Sequence, residues 1–258
     1  MFFVECNHPE YGPVILNGIW KISINAPIGF ENNDIDISHW NDIRVPGECQ
    51  MQGFAIKHDT PFVYKKEFEV PSHFNNQNIF LCFDGVYSSA RVWVNGTYIR
   101  DHTGGFTPWE CEITSLVKPG KKAWITVECT DKRNDESFAS GYAKHQIGSI
   151  LRDVYIKAMP LNRINSCNIE TLLDAEYKDA ILSIDLSLGL NENAKLILSL
   201  SDPQGNEVKL DRNRFNLSST DKNKILKCFD ANPVTWDAEH PNLNKMKLIF
   251  SSDYFMRH

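Results

Sequence analysis

A chain of 258 residues is long enough for two ordinary domains, each able to bury a core without disulfides or metal. The formal net charge of −6, with basic clusters only at 118–122 and 222–227 and both interrupted, excludes the usual nucleic-acid binder. Seven widely spaced cysteines with no CxxC or CxH pair exclude a zinc module and predict reduced, mostly buried thiols.

In chain order, residues 1–6 (MFFVEC) are too short and too soon interrupted for a signal peptide. No run of about 18 apolar residues predicts a membrane span, so the expected location is the cytoplasm. Residues 65–70 alternate polar and apolar. Residues 92–99 alternate around Asn95-Gly96, a strong two-residue hairpin signal. The same period-two pattern returns at 123–129, and 153–158 reads as a closing strand. Met159-Pro160 marks a boundary, giving domains 1–159 and 160–258. Beyond it, 164–173, 181–188 and 195–200 alternate, the last ended by a turn at Asp202-Pro-Gln-Gly205.

Only short helical turns are expected, near 72–76 and 113–117. The fold class is therefore all-β, two sandwiches in succession, the second immunoglobulin-like in architecture without an antibody-type Cys…Trp…Cys framework. Trp20, Trp93, Trp109 and Trp124 are expected in the core of the first sandwich. Gly104-Gly105 signals a positive-φ turn or a close backbone approach. The eight histidines show no ligand-like spacing, and no GxSxG, Walker, GxGxxG or HExxH motif is present, so neither a metal nor a nucleophile site is assigned.

A set of segments then stands in one order: LNGIWK (16–21), VPG (45–47), VYKKEFEVP (63–71), LCFDGV (81–86), ARVWVNG (90–96), HTGGFTP (102–108), RDV (152–154) and WDAEHPNL (236–243). Together they resemble the N-terminal end of glycoside hydrolase family 2, the β-galactosidase/β-glucuronidase family. Two departures stand out: Leu151 where an aromatic is usual, and Val63 where Trp is common.

The resemblance implies a galactose-binding-like jelly roll over 1–159 and an immunoglobulin-like sandwich over 160–258. The two glutamates of a retaining glycosidase belong to a (β/α)8 barrel of ~250 residues, for which this chain has no room. Asn191-Glu192, Asn206-Glu207 and Glu239 fall in turns or in the closing run, so no catalytic residue is assigned. By position, Asp153 of RDV would approach a terminal sugar or a cation; the competing role is a structural partner for Arg152 or for backbone amides. Asp59 is the nearest match to a second rim residue, against a role as turn former. His145 is a third contact, on the loop before RDV.

No cofactor is assigned to this chain; a Na or Mg ion is implied only in the complete enzyme. The implied partners are a β-galactoside-type glycan and the absent barrel, with no nucleic acid and no membrane, and with room for a homo-oligomer. The function expected is a non-catalytic portion that scaffolds the barrel and lines the sugar site. The alternatives are a stand-alone carbohydrate-binding jelly roll and, behind it, a structural pair of sandwiches.

Overall fold

The computed structural model describes residues 2–6, 12–132, 147–218, 220–235 and 237–252. They form two compact units, Glu10–Met159 and Pro160–His258, the second including Met1–Pro9. No α-helix occurs among the described residues; 3-10 turns at Gln50–Gln52 and Ser72–Phe74 are the helical elements. The 113–117 segment closes as a hydrogen-bonded turn, with Leu116 N donating to Ile113 O.

The first unit is a jelly-roll sandwich. Its larger sheet runs in the order Asn41–Val45, Gly18–Ser23, Phe62–Glu69, Lys122–Thr130, Ser89–Val94, Thr97–Thr103. Its smaller sheet runs Trp109–Glu112, Asn78–Phe83, Val154–Met159, Val14–Ile15, and Ser149–Ile150 pairs Val86–Tyr87 beside it. All these pairings are antiparallel. Inward-facing residues of both sheets, among them Ile22, Tyr64, Val92 and Val127 from one and Leu81, Phe83 and Ile156 from the other, make one core. The hairpin at Asn95-Gly96 has φ of 49° and 78°, the left-handed pair that a type I′ turn requires. The Asn95 side chain fixes it further, donating to Leu116 O (2.7 Å) and accepting from Trp124 N (2.9 Å).

The larger sheet is also covered on its outer face. Trp93 faces away from Val92 and Val94 yet is buried, with its ring edge-on to Phe30 at 5.3 Å. Lys65 is only 1% exposed, and its ammonium donates to Phe30 O (2.9 Å) and Asn32 O (2.6 Å). Burial pushes the Lys65 amine down to about 8, against the opposing pull of Glu31 and Asp34. The unfolded chain therefore holds this proton up to about pH 10.4 while the folded chain releases it near 8. Between those values the unfolded state binds more protons, so stability rises with pH, by about 3 kcal/mol in total. Lys65→Met should remove this rise. Denaturant melts of both proteins between pH 7 and pH 11 check it, and parallel curves would contradict it.

Cys49, Cys82, Cys111, Cys129, Cys167 and Cys228 are free thiols, all buried but the half-buried Cys167. Burial pushes Cys82 and Cys111 up to about 12, which removes nucleophilic thiolate at neutral pH.

The second unit is an immunoglobulin-like sandwich. One sheet pairs Arg163–Leu173, Asp179–Gly189 and Asn223–Ala231, all antiparallel, with a bulge between Ile164 and Ser166. The other is built on Ala194–Ser201 and Lys245–Ser252. Strict alternation sends Leu182, Ile184, Leu186 and Leu188 inward against Leu196, Leu198 and Leu248. Phe2–Cys6 pairs in parallel with Lys245–Ser252, so this segment belongs to the second sheet system although it opens the chain. At the 202–205 turn the Asp202 carboxylate accepts from Gln204 N and Asn206 N (2.9 and 2.8 Å), and Gly205 supplies φ +90°.

Candidate functional site

The strand Asn78–Phe83 ends at Asp84-Gly85, and Val154–Met159 begins just after Arg152-Asp153. Backbone hydrogen bonds clamp the two ends together. Asp84 N donates to Asp153 O (3.0 Å), and Leu151 N and Arg152 N both donate to Gly85 O (2.9 and 3.3 Å). Leu16 N donates to Val154 O (2.8 Å), which brings in a third segment. Asn17 on that segment accepts from Val154 N (3.0 Å) and donates to the Asp153 carboxylate (2.9 Å).

Asp153 is exposed. Its carboxylate has about four acceptor positions, of which the Asn17 amide takes one. The rest are open to hydroxyl or cationic donors, on a backbone fixed from both sides. Arg152 lies with its stem over Gly85: a methyl added to Gly85 would stand 3.3 Å from Arg152 Cδ and 2.9 Å from Gly105 O. Burial, with neighbouring Cys82 and Asp84 adding to it, pushes the Tyr155 phenol up to about 12.

The 102–108 loop packs beside these ends. Gly104 adopts φ +120° with no atom nearer than 3.6 Å to an added methyl, whereas a methyl on Gly105 would stand 2.1 Å from the Tyr87 ring. The first glycine thus serves the turn and the second the close approach. Phe106 lies 5.4 Å from Tyr87 and is 55% exposed. Below it the rings of His102, Trp109 and Phe83 stack in succession at 4.7 and 4.5 Å. Burial, then the Arg100 charge, lowers the His102 pKa. The imidazole therefore favours its neutral, stacking form.

Asp59 sits in another constellation of the same unit. Its φ is +59°, its N–H donates to Asp131 O (2.8 Å), and neighbouring His58 stands 2.9 Å from the buried Asp131 carboxylate. Gly148 lets the 147–154 stretch run against this group, since a methyl there would lie 3.1 Å from Asp131 Cβ. His145 lies outside the described residues.

Trp20, Trp93 and Trp109 are buried, while Trp124 is half-buried with the Lys65 ammonium 5.7 Å from its ring centre. Asn191 and Glu192 are held in a loop by the Asn162 side chain, and Glu239 N–H donates to Asp237 in another loop. Two residues bonded to Asp153 go beyond the sequence expectations, Asn17 and Asp84. The signal was a polar residue at the end of an apolar strand within LNGIWK and LCFDGV.

A hard cation takes six or more oxygen ligands. Among the described residues no group of three or more His, Cys, Asp or Glu could hold a metal. Asp153 with Asn17 does not by itself make a cation site.

The profile for "Glycosyl hydrolases family 2, sugar binding domain" matches residues 14–160. A β-galactosidase of Clostridium acetobutylicum is 28% identical over 91% of this chain and 28% of its own length. A putative β-glucuronidase of Formosa agariphila is 31% identical over 96% of this chain and 31% of its own length. Among solved structures, a β-glucuronidase of Bacteroides uniformis superposes with a TM-score of 0.69 at 20% identity, over 95% of this chain and 31% of that one. One from Ruminococcus gnavus gives 0.62 at 19% identity, over 96% and 44%. At such identities the superpositions show the fold alone. The chain spans less than a third of the length of the two curated relatives. With the profile covering 147 residues (14 to 160) of 258, the chain belongs to glycosyl hydrolase family 2, through that family's sugar-binding domain.

Proposed function

We propose that this chain is the non-catalytic portion of a longer glycoside hydrolase that cleaves β-galactoside- or β-glucuronide-type bonds, and that its first unit lines the sugar site. The observation that carries this reading is the exposed Asp153 carboxylate, fixed by Asn17 and by paired backbone hydrogen bonds on both sides. A carboxylate in that setting accepts hydrogen bonds from sugar hydroxyls without reorganising. Asn17 acts as the positioning residue that aims it, and Phe106 offers an apolar edge nearby. Bond cleavage requires a pair of carboxyl groups ~5–5.5 Å apart, one as acid/base and one as nucleophile, which the barrel would supply. A Na or Mg ion at this rim would draw most of its ligands from that barrel or from the substrate.

Hydrolysis by the chain combined with a separately produced family 2 barrel tests the proposal. Asp153→Asn should lower kcat/KM about 100-fold, the loss expected when hydroxyls lose a charged acceptor worth about 3 kcal/mol in a closed site. The melting temperature of the chain should stay unchanged, because Asp153 is exposed. Full activity of Asp153→Asn would overturn the assignment.

A further inference from the structure

The second unit holds a cavity of about 430 Å³ between its two sheets, at the end where Arg163–Leu173 finishes and Lys245–Ser252 begins. Its walls are apolar, with Leu182 from one sheet and Leu200 and Met246 from the other. Residues 233–235 and 242–244 line one side, and Val234 and Leu243 are exposed there.

Among the polar residues that break this lining, Asp230 and Asn244 stand out. Alternation along Asn223–Ala231 sends Leu226, Cys228 and residue 230 inward, and residue 230 is Asp. Asp230 is 7% exposed, and its carboxyl has no hydrogen bond or ion pair among the described residues. Burial alone raises its pKa, with no compensating partner. Asn244 has its Oδ1 buried without a partner among the described residues. The buried amide oxygen left unpaired costs stability, the Asp230 carboxyl lines the pocket, and such groups concentrate at binding sites.

Both groups offer acceptor oxygens, so a ligand that fits them brings donors. A primary ammonium carries three N–H bonds and a compensating charge, and can serve both. The walls require an apolar body beside that head, and the volume falls within the range of small-ligand pockets. We propose that this pocket of the immunoglobulin-like unit binds a small primary amine with an apolar body, its ammonium held by Asp230 and Asn244. This site is independent of the Asp153 rim, so either assignment can fail without the other.

NMR titration of the full chain with phenethylammonium, 2-phenylethanol and 3-phenylpropanoate tests it. The ammonium should shift the amide signals of Ala180, Leu182 and Asp230 and bind at least about tenfold more tightly than the alcohol, as a charge-assisted hydrogen bond implies. The carboxylate should not bind. Asp230→Asn should reduce the ammonium to the level of the alcohol while the thermal transition is retained. Asn244→Leu should weaken it several-fold, and serves if Asp230→Asn fails to fold. Equal binding of the three probes would overturn the proposal. So would no shift at these amides up to about 10 mM, or undiminished ammonium binding in a folded variant.

Discussion

Replacing Gly105 with alanine is expected to lower the stability of the first unit by about 3 kcal/mol, the upper part of the usual range for overpacking. The added methyl would stand 2.1 Å from Cδ2, 2.9 Å from Cγ and 3.0 Å from Cε2 of Tyr87, so it meets the ring side-on and not a flexible tip. Tyr87 has little room to withdraw, being 9% exposed and packed against Phe106. The Gly105 carbonyl in turn sits against Gly85, which carries the hydrogen bonds to Leu151 and Arg152. A displaced 104–107 loop would therefore press on the segment that fixes Asp153. For a unit of this size the expected loss of melting temperature is roughly 6–12 °C. Gly104→Ala is the control. It meets no atom within 3.4 Å but must adopt φ +120°, which costs about 1–2 kcal/mol through backbone strain alone. Removing the obstacle in Gly105→Ala/Tyr87→Ala should cost less than the sum of the single changes. An unchanged melting temperature for Gly105→Ala would refute this packing.

Trp20→Ala should be more damaging still, by about 4 kcal/mol. Trp20 is 1% exposed at the centre of the first core, edge-on to Tyr64 at 6.5 Å. Its indole N–H donates to Leu16 O (2.9 Å), so truncation both opens a cavity and leaves a buried carbonyl unpaired. Leu16 is also the residue whose N–H bonds Val154 O, so the loss should spread to the Asn17–Asp153 pair. Trp124→Ala should cost about half as much, because Trp124 is half-buried. Urea melts of both variants would rank them, and equal midpoints would contradict the difference in burial.

What the sequence reveals of this fold is local. Alternation marks strands because side chains on a pleated strand face opposite ways, and Asn95-Gly96 marks a hairpin because few other pairs tolerate two left-handed residues. What it conceals depends on distant partners. Lys65 and Trp93 look solvent-facing by parity, yet the 24–40 segment covers them through the Phe30 ring and the Phe30 and Asn32 carbonyls. The parallel pairing of Phe2–Cys6 with Lys245–Ser252 joins opposite ends of the chain and leaves no pattern in either segment. At these strand ends, Asp153 was marked by its motif, but Asn17 lies 136 positions away and becomes its partner only when three segments meet. Asp59 shows the converse. Its left-handed backbone and its bond to Asp131 display the turn role directly, while a sugar contact would depend on groups brought by another module.

The most direct test of the central claim is the hydrolysis of nitrophenyl β-galactoside and β-glucuronide by this chain, first alone and then with a family 2 barrel supplied separately. The chain alone should give no turnover above background, and the combination should restore it in an Asp153-dependent way. Turnover by the chain alone that survives repurification and vanishes on substitution of a single Glu or Asp would contradict the claim, because these sandwiches would then hold a catalytic centre of their own.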